Sequence, residues 1–477
     1  MKRAALCYIF AVSAAGLGIF FILLAGNQLA APALSPSTQS SSQTTPHPAG
    51  AADSSFSAAV ESRLWDNAND PLTRLFLQLF VVIAVSYLVG WIFSHFGQPA
   101  VVGEMIAGVL LGPSVFGLLA PHAFQFVFAP SSLGALSLLS QIGVCLFMFT
   151  VGMEMDAAEL RRKAHTAVVV SHASIIAPYV FGVLLALLLY GRLAQPGASF
   201  TGFALFMGIS MSVTAFPVLL RILQDRAILR TSLGRTAAAC AAVGDVTAWT
   251  VLAFVVAIAR ATSVGTVTLS LGFVLTFVAL MLVVIKPNLP SWIGRPALER
   301  PNPSKAVLAV VFGIVLLSAV STQLIGSRAL FGAFLAGIVM PAAAGFRDKL
   351  VVRVENLSAV LLLPVFFAFI GLRTQIGLLN SPQDWLICLV IIVVATAGKL
   401  GGSALGARFT GMKWSESLQL GALMNTRGLM ELIALNIGYE MGILSQRIFT
   451  MLVIMALVTT IMTGPLVTLF GKGQRRV

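Results

Sequence analysis

Of 477 residues, 58% are hydrophobic and only 10% charged, which excludes an ordinary soluble domain, where about a quarter would be charged. The formal net charge of +13 is not a nucleic-acid signature, because the 30 Lys and Arg residues lie singly or in short groups between apolar runs. What remains is an all-α polytopic membrane protein with the lipid bilayer as its surroundings and no nucleic-acid partner.

Residues 4–25 form an apolar run behind Met1, Lys2 and Arg3. A cleaved signal peptide has an apolar core of about 7 to 15 residues, so residues 1–30 read as a signal anchor. The Ala-rich stretch 28–33 keeps a cleaved signal peptide as the alternative. Residues 31–72 are rich in Ser, Thr, Pro and Ala and read as a flexible periplasmic linker. From 73 to 470 the chain is almost continuously apolar. Thirteen spans are predicted there: 73–95, 99–119, 133–153, 166–190, 201–223, 233–258, 264–286, 305–325, 328–345, 352–372, 383–406, 415–437 and 447–470. Each is near the ~20 residues that cross a bilayer. Residues 471–477 read as a short basic cytoplasmic tail.

Positive charge orients the spans, since Lys and Arg favour cytoplasmic loops. With the N-terminus in the cytoplasm, 21 of the 30 fall on the cytoplasmic side and 7 opposite, while Lys399 and Arg427 remain at membrane depth. Both termini are then cytoplasmic if the first helix is retained, and a bacterial inner membrane is the expected location. Thirteen spans divide as six, one and six: a first repeat over 73–258, a linking helix over 264–286 and a second repeat over 305–470. The odd helix gives the repeats opposite orientation, a recurring transporter plan with its site where broken helices meet. The fifth span carries Ser210-Met211-Ser212-Val213-Thr214-Ala215-Phe216-Pro217, and the matching twelfth carries Met424-Asn425-Thr426-Arg427-Gly428. Pro217 removes a backbone donor and crowds the preceding turn, and Asn425, Thr426 and Gly428 are weak helix formers. Irregular backbone at this depth is tolerated where it lines a cavity.

Asp245 sits near the middle of the apolar stretch 237–253. A carboxylate there costs about 2.5 to 3.5 kcal/mol on insertion scales, which marks it as a functional site. It can hold a proton or a metal ion but not comfortably both, and that competition is enough for exchange. The plainer reading is a structural carboxylate paired with Lys399, the one lysine at mid-membrane depth. Released by an arriving cation, Lys399 is placed to lose a proton itself; snorkelling to an interface is the alternative. Thr214 and Ser212 offer hydroxyls and unwound carbonyls to a monovalent cation, unless they only bond their own backbone. Arg427 and Glu431, four apart on one helical face, read as an ion pair bracing the break. Glu104, at the start of the second span, suits a structural role at a helix N-terminus, and Gly108 and Gly112 permit close helix packing. Cys7, Cys145, Cys240 and Cys388 have no CxxC spacing, and His165 and His172 have no acidic or Cys companions at ligand spacing. No disulfide, metal centre or cofactor is expected.

Six segments, QPAVVGEMIAGVLLGPSVFG, LFMFTVGMEMD, SVTAFPVLLRIL, AAVGDVTAW, LLPVFFAFIGLRTQI and NTRGLMELIALNIG, resemble in order the signature stretches of the monovalent cation:proton antiporter-2 family. The Asn-Thr-Arg-Gly-Leu stretch is most similar to the plant-exchanger side. The resemblance implies a homodimer in which each protomer has a dimerisation part and a moving core. That core would comprise spans 4 to 6 and 11 to 13, with the two broken helices crossed, and would carry the site across as an elevator. It matches the family's essential carboxylate to Asp245, its membrane lysine to Lys399 and its broken-helix threonine to Thr214. One departure stands out. The family has Asp or Asn just before the essential acid, and this chain has Gly244. A second side-chain proton carrier is missing there, which favours one cation for one proton; Lys399, which accompanies electrogenic members too, pulls the other way.

The expected function is secondary antiport of Na+ or K+ against H+, with only the transported ions bound and no enzymatic activity. No phosphate-binding GxxxxGK[ST] loop is present. A channel-like K+ efflux protein and a non-transporting membrane sensor that kept the fold are the alternatives.

Overall fold

The computed structural model describes residues 70–154, 164–260, 264–294, 298–299, 303–325, 328–341 and 345–471, preceded by 14–16, 18–19, 21–23, 25 and 67. Most of the expected signal anchor and linker, and residues 472–477 of the expected tail, lie outside the described residues. Among the described residues the fold is nearly all helical, the one β feature being an isolated bridge between Ala194 and Leu444. Eleven helices there are long and apolar enough to cross a membrane.

Local chemistry sets the helix ends. Helix α1 (Pro71–His95) starts at Asp70, whose carboxylate accepts from the Leu72 and Thr73 amides at 3.0 and 3.2 Å. Helix α2 (Ala100–Leu111) stops at Gly112, because Pro113 forces the residue before it into extended backbone. A separate short helix follows at Phe116–Leu119, and the two together, Ala100–Leu119, cover the expected span 99–119. Then come α3 (Leu133–Glu154) and α4 (Ala164–Leu193). The fifth span is two helices, α5 (Phe200–Ser212) and α6 (Phe216–Asp225), followed by the unbroken α7 (Ser232–Arg260). Helix α8 (Val264–Ala279) continues through Leu280–Ile285 into Lys286–Ile293. Helix α9 (Lys305–Leu324) is capped by the Ser304 hydroxyl. Helix α10 (Ala329–Val339) has 11 residues, fewer than the expected 328–345, since Met340 precedes Pro341 and turns extended. Helices α11 (Phe346–Leu357), α12 (Leu363–Arg373) and α13 (Pro382–Phe409) follow. The twelfth span is also two helices, α14 (Trp414–Met424) and α15 (Leu429–Glu440), before α16 (Gln446–Gly471).

Two sets of helices emerge. In one, α4 packs along α13 and against α5 and α7, and α14, α15 and α16 complete the group. In the other, α10 and α12 pack on α3, α2 joins α12 to α1, and α9 covers α10. Small residues allow the second set to pack backbone to backbone. A Cβ on Gly152 of α3 would lie 3.0 Å from the Gly337 Cα of α10, and one on Gly112 would lie 2.9 Å from the Gly371 carbonyl carbon. Between the sets the contact is largely apolar: Trp249 of α7 lies 6.0 Å, ring to ring, from Phe334 of α10. Phe76, Phe80, Tyr87 and Trp91 are exposed along α1, as suits a helix facing lipid.

Candidate functional site

Both breaks fall where the sequence places them, and they lie against each other. Residues 213–215 leave the helix after Ser212, and Pro217 enters the first turn of α6, a position that tolerates its missing donor. Residues 425–428 separate α14 from α15. The Ala215 amide donates to the Thr426 carbonyl and the Thr214 hydroxyl to the Met424 carbonyl, each at 3.0 Å. Gly428 has φ +153°, a conformation that glycine alone adopts easily, and a Cβ there would lie 3.0 Å from Val218 of α6.

A helix that ends inside a membrane leaves its last carbonyls unpaired and its negative pole exposed. In α5 two cations answer this. The Arg427 guanidinium donates to the Ser210 and Met211 carbonyls at 2.8 and 2.7 Å, and the Lys399 ammonium donates to the Ser212 carbonyl. Lys399 also donates to the Ser174 carbonyl of α4 at 3.1 Å. That carbonyl is free because Pro178, four residues on, has no N–H to give it. Both cations are fully buried, as are Asp245 on α7 and Glu431 on α15. Arg427 pairs with Glu431 at 3.5 Å, and Lys399 lies within electrostatic reach of Arg427, Glu431 and Asp245.

The other expected residues sort by what their side chains touch. The Ser212 hydroxyl bonds back to the Ile209 carbonyl at 3.0 Å, so Ser212 meets Lys399 through its main chain. The Thr426 hydroxyl closes its own helix end on the Leu423 carbonyl at 2.7 Å. Asn425 differs: its side chain is fully buried, with neither amide atom hydrogen-bonded among the described residues. Gly244 faces α4. Reading the sequence misses two elements. Pro178 of α4, which frees the Ser174 carbonyl, is legible as a proline inside an apolar span. Thr460 of α16, whose hydroxyl accepts from the Arg427 amide at 3.0 Å, is signalled only by the hydroxyl cluster Thr459, Thr460 and Thr463. Chemically the arrangement brings two fully buried carboxylates, Asp245 and Glu431, within electrostatic reach of a buried lysine that, like Arg427, is tied to the open end of a broken helix.

Comparison with known proteins bears on this geometry. A family model described as "Sodium/hydrogen exchanger, transmembrane" matches residues 81–472. The chain is 40% identical over 398 residues to the Na(+)/H(+) antiporter NhaS4 of Synechocystis sp., covering 83% of this chain and 97% of that protein. It is 35% identical over 414 residues to K(+)/H(+) antiporter 1 of Saccharomyces cerevisiae, covering 84% of this chain and 47% of that one, so it spans about half the length of the yeast relative. The plant Cation/H(+) antiporter 17 of Arabidopsis thaliana is 37% identical over 83% of this chain and 48% of its own length. The fold is similar to the sodium proton antiporter MjNhaP1 from Methanocaldococcus jannaschii, with a TM-score of 0.57 at 16% identity over 84% of this chain and 99% of that one. The chain is therefore a multi-pass membrane protein that belongs to the sodium/hydrogen exchanger family, a family of transporters and not of enzymes.

Proposed function

We propose that the chain is a secondary antiporter that exchanges a monovalent cation, Na+ or K+, for H+. The observation that carries this reading is a fully buried acid, Asp245, within electrostatic reach of a buried lysine that is tied to the open end of a broken helix and to the freed Ser174 carbonyl. Asp245 carries either the proton or the cation. Thr214 and the freed carbonyls near the breaks supply neutral oxygens to the cation, and Lys399 answers the charge of Asp245 when the cation is absent. Arg427 and Glu431 brace the break. With Gly244 offering no second carboxylate, the exchange is one cation for one proton.

The movement is an elevator in which α4–α7 and α13–α16 slide past the remaining helices along the apolar contact that includes Trp249 and Phe334. Two protomers associate as a homodimer in a bacterial inner membrane, with both termini cytoplasmic if the first helix is retained. The first repeat, 73–258, and the second, 305–470, are related by inverted topology about the linking helix 264–286. Support for the activity comes from relatives named for Na(+)/H(+) and K(+)/H(+) antiport.

The test is cation-driven proton movement in proteoliposomes with Na+, K+, Li+ and Rb+. Asp245→Asn is expected to abolish the flux while elution volume and melting temperature stay close to the parent protein; full flux in that variant would sink the reading. Flux unchanged by clamping the membrane potential supports one-for-one exchange.

A further inference from the structure

Serine hydroxyls in apolar helices commonly bond back to their own backbone. Ser210, Ser212 and Ser403 around the site do so, at 2.6, 3.0 and 2.7 Å. Ser171 and Ser174 of α4 do not. Both are fully buried, and neither hydroxyl has a hydrogen-bond partner among the described residues. Three positions apart, they share one face of the helix. Ser174 presents its carbonyl to Lys399, while the Ser171 hydroxyl lies 3.2 Å from where a Cβ on Gly244 would stand, with no other atom of a neighbouring helix within 4 Å of that point. The residue before Asp245 thus has no side chain, and a buried, unpaired hydroxyl from another helix faces the gap.

We propose that Ser171 supplies the cation-ligating oxygen that Gly244 lacks, making Ser171 a specificity-determining residue of this site. The proposal rests on the antiport reading above. An alkali cation that leaves water needs replacement oxygens, and a hydroxyl adds one without adding charge to a centre that already holds Asp245. Positions 171 and 244 are alternatives in this geometry. A side chain at 244 crowds Ser171, and its oxygen would occupy the same place.

The experiment compares the full-length parent, Ser171→Ala, Gly244→Asn and the double variant in proteoliposomes, titrating Na+, K+, Rb+ and Li+. Ser171→Ala is expected to raise the KM for the preferred cation ~10-fold, hold Vmax within about twofold and reorder the cations. Adding Gly244→Asn to Ser171→Ala should bring KM back towards the parent value, which a merely structural serine would not produce. Cation-induced thermal stabilisation of the purified proteins should show the same shift in half-maximal concentration without needing turnover. Unchanged KM and cation order in Ser171→Ala overturn the assignment while leaving antiport intact. A folded parent protein with no flux for any cation overturns the antiport reading instead, and a stabilisation midpoint unmoved in Ser171→Ala then also overturns the assignment. If Ser171→Ala does not fold, Ser171→Thr and Ser171→Cys replace it: a parent-like KM in Thr with a raised KM in Cys supports the hydroxyl, and equal values overturn it.

Discussion

Lys399 and Arg427 do related work at the broken end of α5, each donating to carbonyls that the helix leaves unpaired. Their difference lies in partners. Arg427 is fixed by Glu431, by two carbonyls and by Thr460 beneath its own amide, whereas Lys399 holds carbonyls of two separate helices, α4 and α5. In the proposed mechanism the arginine is the brace, and the lysine, which bridges two helices, is the group that responds to the charge state of Asp245. Gly428 combines a positive φ with a close neighbour on the facing broken helix. Gly428→Ala is expected to destabilise the protein by ~1–3 kcal/mol, from the strained φ and the approach of Val218. A melting temperature equal to the parent's would contradict this. Composition marks Asn425 only as a weak helix former and could not indicate that its buried amide has no hydrogen-bond partner among the described residues.

At the scale of elements, proline decides where carbonyls open. Pro217 sits just inside α6, while Pro178 lies within an otherwise continuous α4. Pro178→Ala would restore an N–H to compete with Lys399 for the Ser174 carbonyl. It is expected to stabilise α4 and to slow cation exchange several-fold, read as raised melting temperature with lowered Vmax; unchanged Vmax would show that this carbonyl does not matter to Lys399. Both broken helices were legible from weak helix formers and a proline in apolar runs. The lengths of α2 and α10 were less so, although Pro113 and Pro341 account for them once the extended backbone of the residue before each proline is considered.

For the whole molecule, the telling contact joins the two sets of helices. Glu440, at the end of α15, pairs with Arg328 before α10 at 2.9 Å and with Arg373 at the end of α12 at 3.1 Å. Arg373 also bonds Asn436 and lies over the Phe369 ring at 4.2 Å. Arg328, Asn436 and Glu440 line one side of a cleft that also includes Ser140, Gln141 and Gln323. Partly exposed pairs of this kind contribute only ~1 kcal/mol or less each, so Glu440→Gln should change stability little. If α15 moves relative to α10 and α12, the pairs break during the cycle, and removing them shifts the balance of states. Glu440→Gln is expected to change Vmax several-fold at nearly constant melting temperature. Identical transport kinetics would argue that these helices do not separate.

Sequence alone determined where the chain is apolar enough to enter a membrane, where its helices break, and which side chains are costly at that depth. Those properties are local: transfer energy, the missing proline donor and helix propensity belong to a residue and its neighbours along the chain. Tertiary structure decided which of these residues meet. The docking of Lys399 on both Ser174 and Ser212, the bonding of one break to the other, and the position of Ser171 opposite Gly244 join residues far apart in sequence. Such pairings depend on how helices pack side by side, and no periodicity within a single helix encodes its neighbour.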